Sequence, residues 1–101
     1  MVKEITFDAD LEQSIANSLR TVESKSRLVL EPRFAEQVLT KLAMQVEKMI
    51  NNNMMPVLLC VPELRRHLRQ LTDRVLPHMA VVSMAEVPNN TELRSFGVVK
   101  L

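Results

Sequence analysis

The hydrophobic positions of this chain predict one long helix in the middle of the sequence. Pro32 opens the pattern, because a proline in the first helical turn loses no hydrogen bond, and Glu31 before it favours the positive end of the helix. Asparagines at 51–53 end the helix, since Asn tolerates left-handed backbone. Between these limits, apolar side chains recur every three or four residues for about five turns: Phe34, Ala35, Val38, Leu39, Leu42, Val46, Met49 and Ile50.

A strand, a helix and a second strand follow this long helix. Pro56–Val61 is a short continuous apolar run, which is typical of a strand covered on both faces. Pro62 then begins a helix, and Pro77 stops it about four turns later. Ala80–Val82 returns to apolar and β-branched residues. Two strands joined by one helix predict a parallel pair with a right-handed crossover.

The first residues alternate in polarity and predict a strand followed by a helix. Val2–Phe7 reads as a half-exposed strand that lies at an edge of the sheet. Asp8 and Asp10 are both suited to cap the next helix, and Asp10 stands three residues before Gln13, as in a capping box. This helix should run for about three turns along an apolar face: Leu11, Ile15, Leu19 and Val22.

The remaining segments are shorter. Glu23–Arg27 reads as a polar connection, and Leu28–Leu30 fits equally a brief strand or a packed segment leading into the long helix. Glu86–Asn90 predicts a turn, and Leu93–Leu101 predicts a terminal strand. Together these patterns predict an α/β fold: a small mixed sheet of about four strands flanked by three helices, with one parallel strand–helix–strand unit.

Composition excludes several classes of function. The formal net charge of +1 gives no general attraction to nucleic acid or acidic lipid. Gly97 is the only glycine, whereas nucleotide-binding loops need several. Cys60 is the only cysteine and lies in an apolar run, so it reads as a small buried hydrophobe. No apolar run is long enough to span a membrane, and no signal peptide is evident. We therefore expect a soluble, cytoplasmic chain.

No catalytic, cofactor-binding or metal-binding residue is predicted, and so no enzyme. His67 and His78 are the only histidines, and no spacing brings either to a nucleophile or to clustered carboxylates. His67 should lie on the flank of a helix, and His78 in a connection. The isolated chain should fold without a ligand or metal and be mainly monomeric.

The basic helix after Pro62 offers one candidate contact surface. Arg65, Arg66 and Arg69 cluster opposite the predicted buried stripe and form a candidate protein-contact face. The alternative is a small phosphate- or nucleic-acid-binding module that uses the basic helix 63–76. Nearby acids at positions 63 and 73 favour a solvated or protein-contacting face instead, because they pair with arginines along the helix. The predicted buried stripe is Leu64, Leu68, Leu71 and Val75.

The chain also resembles the last cytoplasmic subdomain of the type III secretion export-gate family, which includes the flagellar FlhA and virulence InvA proteins. The resemblance covers nearly the whole chain in one register. The residues that carry it are Leu30-Glu31-Pro32, Ala35-Glu36-Gln37, Pro56–Cys60, Arg65–Arg69, Leu71, Arg74, Leu76-Pro77, Val81–Ser83, Glu86–Pro88 and Arg94-Ser95.

This resemblance implies that residues 1–101 are one α/β subdomain, without a transmembrane region, of a larger protein. Family members are expected to have a membrane region and a cytoplasmic region that forms a ring under the bacterial inner membrane. That ring would dock export-apparatus components and chaperone–substrate complexes. The chain would then be an excised piece or the product of a truncated gene, and Met1 before the first predicted strand fits both.

Overall fold

A computed structural model describes residues 2–101, and it leaves Met1 and the side chain of Val22 outside the description. These residues form six strands, three α-helices and one short 3₁₀ helix, Met84–Glu86. The larger elements are, in order, β1 (Val2–Phe7), α1 (Ala9–Ala16), β2 (Leu19–Val22), β3 (Lys25–Leu28), α2 (Pro32–Asn51), β4 (Val57–Cys60), α3 (Pro62–Thr72), β5 (Ala80–Ser83) and β6 (Leu93–Val99). Met1, which fits both an excised piece and a truncated gene product, lies outside the described residues.

The main sheet has four strands in the order β5-β4-β1-β6, and every neighbouring pair in it is parallel. The predicted α/β class and the parallel β4–α3–β5 unit are therefore confirmed. The sheet is not mixed, however, because antiparallel pairing is confined to a separate hairpin of β2 and β3. Successive strands of the main sheet are separated by crossover segments rather than hairpin turns, and such connections place strands parallel.

Strand β1 lies inside the sheet, so its predicted edge position is wrong. Its alternating polarity suggested one solvated face, but β4 pairs with one side of it and β6 with the other. Ile5 is fully buried and even Glu4 is only 6% exposed. The pairing of Glu4 with Ser95 and of Ile5 with Gly97 leaves Phe96 as an extra residue, which makes a β-bulge in β6.

Helix α2 has the predicted start and end. It runs from Pro32 to Asn51, and Asn53 takes a left-handed backbone conformation with φ 59°. Its buried stripe packs on the sheet and on α3 to make one core. The core residues with no exposed surface are Ile5, Ile15, Val38, Leu42, Met49, Leu58, Leu64 and Leu68.

Helix α1 is shorter than predicted, and the hairpin that follows it was missed. The Asp8 side chain caps α1 by accepting from the backbone N–H groups of Asp10 and Leu11. The helix ends at Ala16, and Leu19 and Val22, which were assigned to its apolar face, lie in strand β2. Four-residue spacing from Ile15 to Leu19 is helical, but a turn at 17–18 interrupts it.

The segment predicted as a polar connection contains a tight turn and strand β3. Glu23 and Ser24 both have positive φ, 50° and 64°, which reverses the chain and pairs β2 with β3. Leu28–Leu30 was predicted as either a brief strand or a segment leading into the long helix, and the structure shows some of each. Leu28 ends strand β3, and residues 29 and 30 lead into α2.

Helix α3 ends at Thr72, about one turn before the predicted stop at Pro77. The Thr72 hydroxyl donates to the Leu68 carbonyl at 2.8 Å, and the backbone N–H of Leu76 donates to the Thr72 carbonyl at 2.7 Å. This turn carries Val75 out of the predicted buried stripe, and Val75 is 54% exposed.

Across residues 2–101, no helix combines the length and the apolar character that a membrane span requires.

Candidate functional site

A large groove lies between the β2–β3 hairpin, helix α3 and the start of α2. Its volume is about 1020 Å³. Polar and charged residues of the hairpin form one wall, and the exposed side of α3 forms the other. We call it the hairpin groove; its lining is Ser24, Lys25, Ser26, Arg27, Leu28, Leu30, Ala35, Arg66, His67, Gln70 and Leu71.

The charge of the hairpin groove is entirely positive. Lys25 and Arg27 approach from the hairpin, and Arg66 from α3, whereas no Asp or Glu of the described chain belongs to the lining. Within residues 2–101, the ion pairs under 4 Å involve other arginines, so these three cations have no acidic partner. A concave surface with uncompensated positive charge attracts anions.

One side-chain contact joins the hairpin to α3 at the groove. The Ser26 hydroxyl lies 3.3 Å from Nε2 of His67, within hydrogen-bond distance. Leu19 and Leu28, which pair across the hairpin, also pack against the edge of the core. The other residues of β3 are exposed. The hairpin is therefore attached to the rest of the molecule by few contacts.

His67 is buried rather than on a helix flank as predicted. Only 7% of its surface is exposed. Burial lowers the pKa of His67 below its ordinary value of 6.5, and the positive charge of Arg66 lowers that pKa further. The imidazole is therefore neutral at pH 7 and free to hydrogen-bond to Ser26. His78 lies exposed in a turn, as predicted.

The three predicted contact arginines do not share one environment. Arg65 pairs with Glu86, with 3.1 Å between Nε and the carboxylate. Arg69 donates hydrogen bonds to the carbonyls of Met79 and Leu76, and its Nε lies 3.4 Å from Asp73 without hydrogen-bond geometry. Only Arg66 is exposed and lines the hairpin groove.

Arg65 and Arg69 therefore hold α3 against the residues that follow it. Glu86 forms a capping box with Ser83, and its hydrogen bond to the Ser83 backbone lowers the pKa of the Glu86 carboxyl. The Arg65–Glu86 pair thus ties the middle of α3 to the end of β5. The role of the three arginines as a contact face stays a prediction, now with Arg66 as its most available member.

Two other buried groups do not line the hairpin groove. Cys60 is 1% exposed, and burial raises the pKa of its thiol to about 12, so the thiol is protonated and behaves as the predicted small hydrophobe. Burial also raises the pKa of Glu4, one of whose carboxylate oxygens lacks a hydrogen-bond partner. Among residues 2–101, no three His, Cys, Asp or Glu side chains are placed to hold a metal.

Sequence reasoning missed Lys25, Ser26 and Arg27 as site residues. The hairpin signal was weak, because Glu-Ser is not a usual two-residue turn and β3 has a single apolar residue at its end. The available signal was spacing: two four-residue segments, 19–22 and 25–28, flank residues 23–24, as in a short hairpin.

The sequence of this chain matches a known protein family and a curated relative. The family model described as "FHIPEP family" matches residues 1–92. The flagellar biosynthesis protein FlhA of Bacillus subtilis is 31% identical over 101 residues, which is 100% of this chain and 15% of FlhA. The chain therefore spans only a small part of the relatives that it matches.

Solved structures agree with this match. The nonameric SctV-C of EPEC has a TM-score of 0.79 and 26% identity, over 97% of this chain and 29% of SctV-C. CdsV in the Chlamydia pneumoniae CdsV–CdsO complex has a TM-score of 0.76 and 22% identity, over 99% and 29% of the two chains, which shows the fold. The nonameric EscV cytosolic domain, from the type III secretion system, has a TM-score of 0.67 and 26% identity over 97% of this chain and 29% of EscV. This chain belongs to the FHIPEP family, which includes the flagellar protein FlhA.

Proposed function

We propose that this chain acts as a part of a bacterial type III protein-export gate, of flagellar or virulence type. In this proposal, residues 1–101 are one α/β subdomain, equivalent to the last cytoplasmic subdomain of the family. The observation that carries it is the match to FlhA along the whole chain, together with the family match over residues 1–92. The work of such a subdomain is protein binding and not catalysis.

The proposed setting is a ring at the cytoplasmic face of the inner membrane. Support comes from the relatives: SctV-C is nonameric, and CdsV is found in a complex with CdsO. By analogy, this chain would stand in a homo-oligomeric ring and would contact export components and chaperone–substrate complexes.

The hairpin groove is the proposed contact surface. It is concave, it is large for a chain of this size, and it carries Arg66 of the predicted contact face. Arg65 and Arg69 would not contact the partner directly. They would fix the position of α3, because Arg65 pairs with Glu86 and Arg69 binds the carbonyl of Leu76. Protein contact is favoured over nucleic-acid binding because the lining contains no Phe, Tyr or Trp and its one imidazole, His67, is only 7% exposed, whereas base stacking needs accessible aromatic side chains.

A subdomain exchange tests the proposal. The segment of Bacillus subtilis FlhA that matches this chain is replaced by residues 1–101, and flagellar protein export and swimming are measured. We expect export to be restored well above that of FlhA lacking the segment. A chimera that accumulates to the level of FlhA but exports no more than the deletion would contradict the proposal.

A further inference from the structure

We propose that the hairpin groove binds a short acidic segment of a partner protein, with an apolar side chain of that segment seated between its carboxylates. This inference deepens the proposed function, on which it rests for the kind of partner. Three features of the groove support this occupant: its unpaired cations, its partly buried leucines and its hydrogen-bonding groups.

The cations define the charge of the occupant. Lys25 and Arg27 are exposed and line the groove on either side of Ser26. Arg66 stands on the opposite wall. Guanidinium groups bind carboxylates through paired hydrogen bonds, and a lysine adds a mobile point charge. Carboxylates of a segment lying in the groove would meet Arg66 from α3 and the two cations that border the groove on the hairpin.

The floor of the groove defines a second feature of the occupant. Leu28, Leu30 and Leu71 line it and remain only partly buried, with Ala35 beside them. A leucine-sized side chain on such a surface would remove apolar area from water, which contributes roughly 25 cal/mol for each Å² buried. A purely electrostatic ligand, such as a free phosphate, would leave this surface exposed.

The lining of the groove also contains uncharged side chains that can form hydrogen bonds. Ser24 and Ser26 offer hydroxyls from the hairpin, and Gln70 offers an amide from α3. An extended peptide presents backbone N–H and C=O groups that such side chains satisfy. The acids nearest to the cations in sequence, Glu23 and Glu63, are not part of the lining, so they do not occupy the positions where a ligand carboxylate would bind.

The test uses a synthetic probe. An eight-residue peptide with blocked ends, six glutamates and two leucines is titrated into the isotopically labelled chain, and amide chemical shifts are followed. We expect saturable shifts at residues 24–28 and 66–71, with affinity that weakens as salt rises because exposed charges are screened. The same peptide with glutamine in place of glutamate should bind at least about tenfold more weakly.

Matched variants locate the charge. Lys25→Glu with Arg27→Glu and Arg66→Glu should weaken binding by about tenfold or more, whereas Lys41→Glu on the exposed side of α2 should change it by less than about twofold. Circular dichroism checks that each variant is folded. If the triple variant does not fold, the single variant Arg66→Gln is titrated with the peptide in its place. Shifts confined to other surfaces, or equal binding of the glutamine peptide, would overturn the proposal.

A second probe separates the two classes of anion. A single-stranded oligonucleotide of the same charge should bind the groove more weakly than the acidic peptide. Tighter, saturable binding of the oligonucleotide, lost in the charge-reversal variant, would overturn the inference in favour of nucleic acid. Failure of the peptide to bind while the FlhA chimera still exports would refute this inference alone and leave the proposed function standing.

Discussion

The parallel sheet and the hairpin groove are built on different principles. In the sheet, Ile5 of β1 and Leu58 of β4 have no exposed surface, and α2 and α3 contribute apolar stripes to the same core. The hairpin is exposed along most of β3 and meets α3 through the contact between Ser26 and His67. Burial gives the sheet its stability, whereas the groove leaves Lys25, Arg27 and Arg66 outside the ion pairs of the described chain.

The largest expected difference between the two regions is in stability. Leu68→Ala should lower the free energy of unfolding by about 2–5 kcal/mol, because Leu68 is fully buried in the core. Arg66→Ala should lower it by less than about 0.5 kcal/mol, because Arg66 is exposed at the groove. Urea titrations of both variants measure the difference. Equal losses of unfolding free energy in the two variants would show that Leu68 does not lie on the buried face of α3 with Arg66 on the exposed face.

A buried charge within the sheet gives the next effect. Glu4→Gln should raise the free energy of unfolding at pH 7 by on the order of 1 kcal/mol, because a buried carboxylate without full hydrogen bonding is destabilising. Burial raises the pKa of Glu4 in the folded state, so protonation favours folding. The gain from Gln should therefore shrink as the pH falls through the range where Glu4 itself becomes neutral.

Urea titrations of Glu4→Gln and wild type from about pH 7 down to about pH 4 follow this trend. Glu12→Gln is the matched control, because Glu12 lies in α1 and is less buried. A Glu4→Gln variant that is less stable than wild type at pH 7 would contradict this account of β1.

The edge of the groove adds a smaller dependence on pH. The folded-state pKa of His67 lies below 6.5, so the unfolded chain takes up this proton first as the pH falls. Stability should therefore decrease from about pH 7 toward the lowered pKa, and His67→Gln should remove part of that decrease. His78→Gln, at the exposed turn, is the control that should retain it. Identical pH profiles for wild type and His67→Gln would contradict the burial of His67.

The smallest effect concerns the attachment of the hairpin. Ser26→Ala removes the hydroxyl that lies 3.3 Å from His67 Nε2, so amide hydrogen exchange in residues 25–28 should become faster. Global stability should change by less than about 0.5 kcal/mol, since Ser26 is outside the core. Unchanged exchange in the hairpin would mean that Leu19 and Leu28 alone hold it.

The same contrast explains what the sequence could predict. The positions of α2, β4 and β5 followed from apolar runs and from prolines at helix starts, because burial imposes a strong pattern. The position of β1 was mistaken, since the polarity of one strand does not reveal which strands pair with it. The order of strands depends on contacts between distant segments.

The candidate site was harder to predict than the core. Arg66 was selected with Arg65 and Arg69, and pairing of Arg69 with Asp73 was expected, but Glu86 and Met79, which also bind Arg65 and Arg69, lie beyond the end of α3. The contribution of Lys25 was invisible without the hairpin, and the hairpin has little hydrophobic signal. Local patterns thus identified one wall of the groove, and tertiary structure supplied the other.

We infer that the hairpin groove, and not merely the fold, serves docking in protein export. The most direct measurement is export by the FlhA chimera carrying Lys25→Glu, Arg27→Glu and Arg66→Glu, compared with the chimera carrying Lys41→Glu. The account predicts equal protein levels for the two chimeras, a large loss of export for the groove variant and near-normal export for the control. Normal export by a stable groove variant would contradict it.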